Sequence, residues 1–113
     1  MSKTSRPWGT YEVLLDDENC KVKKIVINPG EKPSYQYHHK RVEDWKIISG
    51  KGTVCLDDSE FEVSAGDIVS VPLLSKHTIR NIGKESLVFI EIQTGEYFGE
   101  DDIVRLEDKY GRV

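Results

Sequence analysis

Residues 34–45 read SYQYHHKRVEDW and hold two of the chain's three histidines, together with a glutamine, a lysine, an arginine and two acids. In a strand, successive side chains point to opposite faces. Gln36 and His38 therefore share one face, while Tyr35, Tyr37 and His39 share the other. A bend at Lys40–Arg41 leads into a second strand. Its parity set Glu43, Trp45 and Ile47 is mostly apolar and should face inward, which brings Glu43 beside Gln36 and His38. The third histidine, His77, follows PLLSK and opens another strand. Gln36, His38, Glu43 and His77 form a chemically sensible ligand set for one divalent metal ion. Imidazole and oxygen donors suit Zn, Mn, Co, Ni or Fe, and the lack of thiolate argues against a closed structural zinc site.

Each of these residues also has a plainer reading. Taken singly, His38 or His77 reads as a hydrogen-bonded interior histidine; the spacing of the whole set makes it a metal site. Gln36 is either a ligand or a partner for a bound water. His39, on the other parity, is expected at the surface or in an interface, and Trp45 in the core. The pair Lys40–Arg41 is either an exposed turn or an anion site.

The elements that must position these groups read as strands almost throughout. TYEVLL, CKVKKIVIN, SYQYHH, DWKIIS, GTVCLD, EFEVS, DIVSVP, HTIRNI and LVFIEIQ are short and rich in β-branched and aromatic residues. Turn formers separate them, among them NPGEK, SGKG and SAGD. Pro29 and Gly30 suit the centre of a type II turn, and Gly66 suits a turn with positive φ. The regular spacing predicts an all-β sandwich or barrel. Only EDDIVRLEDKYGR, at the C-terminal end, suggests a turn or two of helix or an ordered tail. Residues up to about Arg6 are expected to be loose. Apolar residues on both parities of VFIEIQ and KIVIN point to a homodimer.

The chain's 113 residues fit a single domain over 1–113, and the net charge of −4 speaks against a nucleic-acid backbone as partner. Cys20 and Cys55 lie in or beside apolar runs and read as free, packed thiols. MSKTSRPWG lacks the apolar stretch of an export signal, and no run approaches a membrane span, so a cytoplasmic protein is expected.

The spacing also carries a resemblance. Gly30, Gln36, His38, Glu43 and Gly50 fit the first half of the cupin pattern, G-x5-H-x-H-x4-E-x6-G, with Gln in place of the first His. Gly66, Pro72, His77 and Asn81 fit its second half, with Leu74 in place of a Gly. RPWGTYEVL, QYHHKRVEDW and FIEIQTGEYFGEDDIVRLEDKYGR resemble the cupin domain of type II mannose-6-phosphate isomerases, which commonly ends bifunctional mannose-1-phosphate guanylyltransferase/mannose-6-phosphate isomerases. Such relatives typically read Q-x-H-H-H-R-A-E-H-W. This chain has Lys40 and Asp44 at two of those histidines, which would be imidazoles at the pocket edge.

The resemblance implies a cupin jelly-roll β-barrel with inward metal ligands, expected to stand alone without a nucleotidyltransferase domain. It implies aldose–ketose isomerisation of a phosphorylated sugar in nucleotide-sugar or polysaccharide synthesis. The base would be Glu43 or Lys40, and the phosphate would meet Arg41, Arg105 or Arg112. The alternative is a non-catalytic cupin that holds a sugar or small anion, as partner of a separate guanylyltransferase. A metal-dependent dioxygenase is a third use of the same scaffold.

Overall fold

A computed structural model describes residues 3–107. The strands are β1 (Lys3–Arg6), β2 (Gly9–Asp16), β3 (Cys20–Ile27), β4 (Tyr35–His38), β5 (Arg41–Ser49), β6 (Lys51–Leu56), β7 (Ser59–Ser64), β8 (Ile68–Val71), β9 (His77–Asn81), β10 (Leu87–Gly95) and β11 (Ile103–Glu107). They form two antiparallel sheets. One runs β1-β2-β3-β10-β5-β8 and the other β11-β4-β9-β6-β7. The inner faces share one apolar core that includes Ile27, Trp45, Ile47, Val54, Ile79, Leu87 and Phe89. The all-β jelly-roll reading holds.

Period-two alternation explains the inner faces. In β5, Arg41, Glu43, Trp45 and Ile47 are all buried, while Lys46 and Ile48 on the other parity are exposed. The predicted turns are present too. Gly30 has φ +79° and Gly66 has φ +96°, values that favour glycine. Leu74, which stands at a family glycine position, has φ +65° and carries a Cβ there.

Both chain ends differ from expectation. Residues 3–6 are not loose: β1 pairs with β2 through a tight turn in which Arg6 is opposite Gly9, and Trp8 in that turn is buried in the core. The C-terminal segment is ordered, as a strand rather than helical turns. A 3-10 turn at Glu100–Asp102 leads into β11, which pairs with β4. The Asp102 carboxylate ties this junction by accepting hydrogen bonds from the backbone N–H of His39 (3.2 Å) and Lys40 (3.0 Å). A run as short as IVRLE has little helical stability of its own, so pairing on an available sheet edge wins. No helix among the described residues is long and apolar enough to cross a membrane. Cys20 and Cys55 are free and half-buried.

Candidate functional site

Two rows of inward side chains face the space between the sheets. On the second sheet, Gln36 is the cross-strand partner of both Arg105 and His77, so the row reads Arg105–Gln36–His77. On the first sheet, Glu91 is opposite both Lys23 and Trp45, so the row reads Lys23–Glu91–Trp45. Gln93, two residues further along β10, is opposite Glu43. All of these except Gln93 line a cavity of about 90 Å³, room for several waters.

His38, Glu43 and His77 are all buried and offer one ligand atom each, all within 4.8 Å of one another. His77 Nδ1 donates to the Ser75 carbonyl at 2.9 Å, which fixes the tautomer and turns Nε2 inward. That Nε2 is buried without a partner, 3.7 Å from Glu43 Oε1. An imidazole held by a backbone carbonyl with its other nitrogen free is how proteins present histidine to a cation.

Glu43 is the hub. Trp45 Nε1 donates to its Oε1 at 3.0 Å, and Arg41 Nε donates to its Oε2 at 3.1 Å. Burial works to raise its pKa, but His77, Arg41 and His38 more than offset that and hold the carboxylate ionised well below the usual range. Arg41 is always charged, so it is the persistent cause at neutral pH. Arg41 Nη2 also donates to His38 Nε2 at 2.8 Å, and Nη1 to the Phe98 carbonyl at 3.3 Å. Burial, opposed by Glu43, takes the His38 pKa down to about 3, so the ring is neutral and its Nε2 lone pair is already used.

Glu91 behaves in the opposite way. Burial and then the Glu43 charge push its pKa up to about 8. Gln93 Nε2 donates to Glu91 Oε2 at 2.7 Å. One carboxylate is thus kept charged and its neighbour kept protonated, an arrangement that can hold and move a proton.

Of the residues singled out in the sequence, Gln36, Glu43, His77, Arg41 and Arg105 line the cavity, and His38 joins the cluster from behind Arg41. Gln36 Oε1 accepts a hydrogen bond from Ser34 Oγ at 2.9 Å. Lys40 is not brought in: it is exposed, with its ammonium 5.3 Å from the Tyr97 ring centroid. Arg112 lies outside the described residues. The two departures from the relatives' pattern are not at the cavity edge either. Asp44 takes the outward parity and accepts from Ser70 Oγ at 2.9 Å. His39 is largely exposed, as expected.

The sequence reading passed over Arg6, Tyr11, Lys23 and Glu91, all of which line the cavity. The signal was available in parity. Lys23 precedes Ile25 and Ile27 on the inner face of β3, and Glu91 and Gln93 follow Leu87 and Phe89 on the inner face of β10. A polar residue on an apolar parity is more informative than the apolar ones around it.

Residues 1–108 match the family described as mannose-6-phosphate isomerase C-terminal. The chain belongs to that family. Alginate biosynthesis protein AlgA of Pseudomonas aeruginosa is 44% identical over 108 residues, which are 96% of this chain and 22% of AlgA. A mannose-1-phosphate guanylyltransferase of Klebsiella pneumoniae is 38% identical over 107 residues, 95% of this chain and 23% of that protein. Among solved structures, the cupin domain of Schizosaccharomyces pombe Cnp3 superposes with a TM-score of 0.74 at 18% identity, over 76% of this chain and 64% of that one. As a member of the mannose-6-phosphate isomerase C-terminal family the chain is a cupin domain of the type II kind, and it spans less than a quarter of these two curated relatives.

Proposed function

We propose that the chain is a metal-dependent isomerase acting on a phosphorylated sugar such as mannose 6-phosphate, in nucleotide-sugar or polysaccharide synthesis. The supporting observation is His77 Nε2, buried, without a partner and aimed beside an ionised carboxylate in a cation-rich cavity. The donor set fits a divalent metal: His77 and Glu43 would hold it, with Gln36 beside them and His38 available once Arg41 withdraws. When bound, such an ion polarises the sugar's neighbouring carbonyl and hydroxyl oxygens.

The chain's own groups supply the rest. Glu43, held ionised, would act as the base from an oxygen not held on the ion: it takes the C2 proton and returns it to C1, while the C2 hydroxyl proton passes to the C1 oxygen, so that the carbonyl moves from C1 to C2. Glu91 is kept protonated beside Glu43 by burial and by the Glu43 charge, so it adds no second negative charge there. The Trp45 indole fixes the orientation of the carboxylate. Interconversion of mannose 6-phosphate and fructose 6-phosphate with added Zn, Co, Mn or Ni tests the proposal. Absence of turnover with every one of these ions rejects it.

Arg41 favours a second reading. It occupies His38 and Glu43 at once, which suits a non-catalytic sugar- or anion-binding module working beside a separate guanylyltransferase. In that case mannose 6-phosphate raises the melting temperature and is recovered unchanged. A homodimer belongs to the same proposal: Ile48, Ile68 and Ile92 are exposed on the outer face of the first sheet. Sedimentation at a monomer's mass removes it.

A further inference from the structure

The cavity has two chemically different ends. At one, His77 and Trp45 lie edge to ring, 5.8 Å between centroids, beside Glu43. Each row then crosses two strand spacings, about 10 Å, before it ends on a cation. The first sheet's row ends on Lys23 and the second's on Arg105. Arg6, from the N-terminal hairpin, joins Lys23. The Lys23 ammonium lies 4.5 Å from the Tyr11 ring centroid and the Arg6 guanidinium carbon 5.1 Å from the same centroid, with Arg6 Nη2 donating to Tyr11 Oη at 3.3 Å.

Charge is unbalanced at this end. Four cationic side chains line the cavity against two carboxylates. Arg41 and Glu43 neutralise each other at 3.0 Å. Glu91 accepts from Gln93 Nε2. Among the described residues no carboxylate lies within ion-pair distance of Lys23, Arg6 or Arg105. Lys23 is nonetheless only 7% exposed, and Arg105 Nε is buried without a partner. Glu91, opposite Lys23 in the sheet, is the one carboxylate facing it among the described residues, which leaves the Arg6 and Arg105 charges uncompensated, and a chain of net charge −4 gains nothing from concentrating cations in one cavity unless an anion comes to them.

We propose that Lys23 and Arg6, with Arg105 across the cavity, form the seat for a phosphate dianion, two strands away from the His77–Glu43 end. Lys23 is the specificity-determining residue: it sets the site's preference for a phosphorylated over a plain sugar, and the separation of the two ends sets which carbons reach Glu43. The seat deepens the isomerase reading and rests on it for the sugar part of the ligand, while anion binding is separable from turnover.

The test uses inorganic phosphate on the full chain at constant ionic strength, read by melting temperature and by titration calorimetry. Wild-type protein is expected to be stabilised by phosphate more than by chloride. Lys23→Met should weaken phosphate about tenfold or more, the loss of one charge-assisted contact, and Arg6→Gln should act in the same direction. Lys24→Met, at the exposed neighbour on β3, should change nothing. If Lys23→Met does not fold, Arg6→Gln and Arg105→Gln carry the decision. Equal phosphate protection of wild type and the cavity variants overturns the seat, as does no protection of wild type. Lys23-dependent phosphate binding without sugar interconversion leaves the seat standing and removes the isomerase. Interconversion with an unchanged KM for mannose 6-phosphate in Lys23→Met does the reverse.

Discussion

Arg41 Nη2 lies 2.8 Å from His38 Nε2, and the same guanidinium is 3.0 Å from Glu43 Oε2. Arginine has no lone pair to offer, so both contacts consume acceptor positions that a metal ion would also use. The protein therefore carries its own cation in the candidate metal site, and the two cations compete.

Replacing that cation should change metal affinity. In Arg41→Met the apo protein is expected to lose about 3 kcal/mol, because Glu43 remains buried without its main counter-charge. Affinity for Co or Zn should rise at least tenfold, since nothing has to be displaced from His38. Calorimetric titration of both proteins decides it; equal or weaker binding by the variant sinks the competition.

His77 should matter to the metal far more than to the fold. Its Nε2 has no partner to lose, and its Nδ1 makes one hydrogen bond to Ser75, so His77→Gln should cost the apo protein about 1 kcal/mol. Metal affinity should fall at least about a hundredfold, as a ligand is lost outright. Metal-induced stabilisation that survives in the variant would show that the ion sits elsewhere.

Two buried groups set opposite limits on stability with pH. Glu91 has a folded pKa near 8 against an ordinary 4.5, so folding takes up a proton and that contribution, complete below about 4.5, fades as pH rises through 8. His38 has a folded pKa near 3 against 6.5, so its contribution is present above 6.5 and is lost as pH falls toward 3. Stability should be greatest between about pH 5 and 6.5. Glu91→Gln removes the proton uptake, so the urea midpoint, which falls from pH 6.5 to 8 in wild type, should stay flat over that range in the variant. Its acid limb should be unchanged. A parallel fall in both proteins would assign the alkaline loss to another group.

Leu74 should be replaceable by glycine with a gain. Its backbone sits at φ +65° and its side chain is about half exposed, so little burial is at stake. Left-handed backbone costs a non-glycine residue about 1–2 kcal/mol, and glycine's extra unfolded-state entropy returns about 0.5–1 of it. Leu74→Gly should stabilise by about 0.5 kcal/mol in a urea melt. Leu74 N–H donates to the His38 carbonyl at 3.0 Å, and that bond should persist. A clear loss of stability would mean that the leucine side chain contributes packing that its exposure hides.

Local pattern determined much of this protein. Alternation in YQYH and VEDWKII assigned Gln36, His38, Glu43 and Trp45 to one interior, because a strand has only two faces and an apolar parity must take the inner one. The spacing of Gly30, Gly50, Gly66, Pro72 and Asn81 fixed the turns, because backbone conformation is a local property. Tertiary structure alone decided the rest. Whether Arg41 met phosphate, solvent or His38 depended on a side chain reaching back three residues across a bend and on to Phe98, 57 residues later. Lys40 was carried outward by the same bend. Arg105 reached the cavity only because a C-terminal strand found the edge of β4, and Lys23 and Arg6 were brought together by converging on one tyrosine from different strands. Charge interactions act through space, across whichever strands the topology makes neighbours, and neither periodicity nor spacing encodes that adjacency.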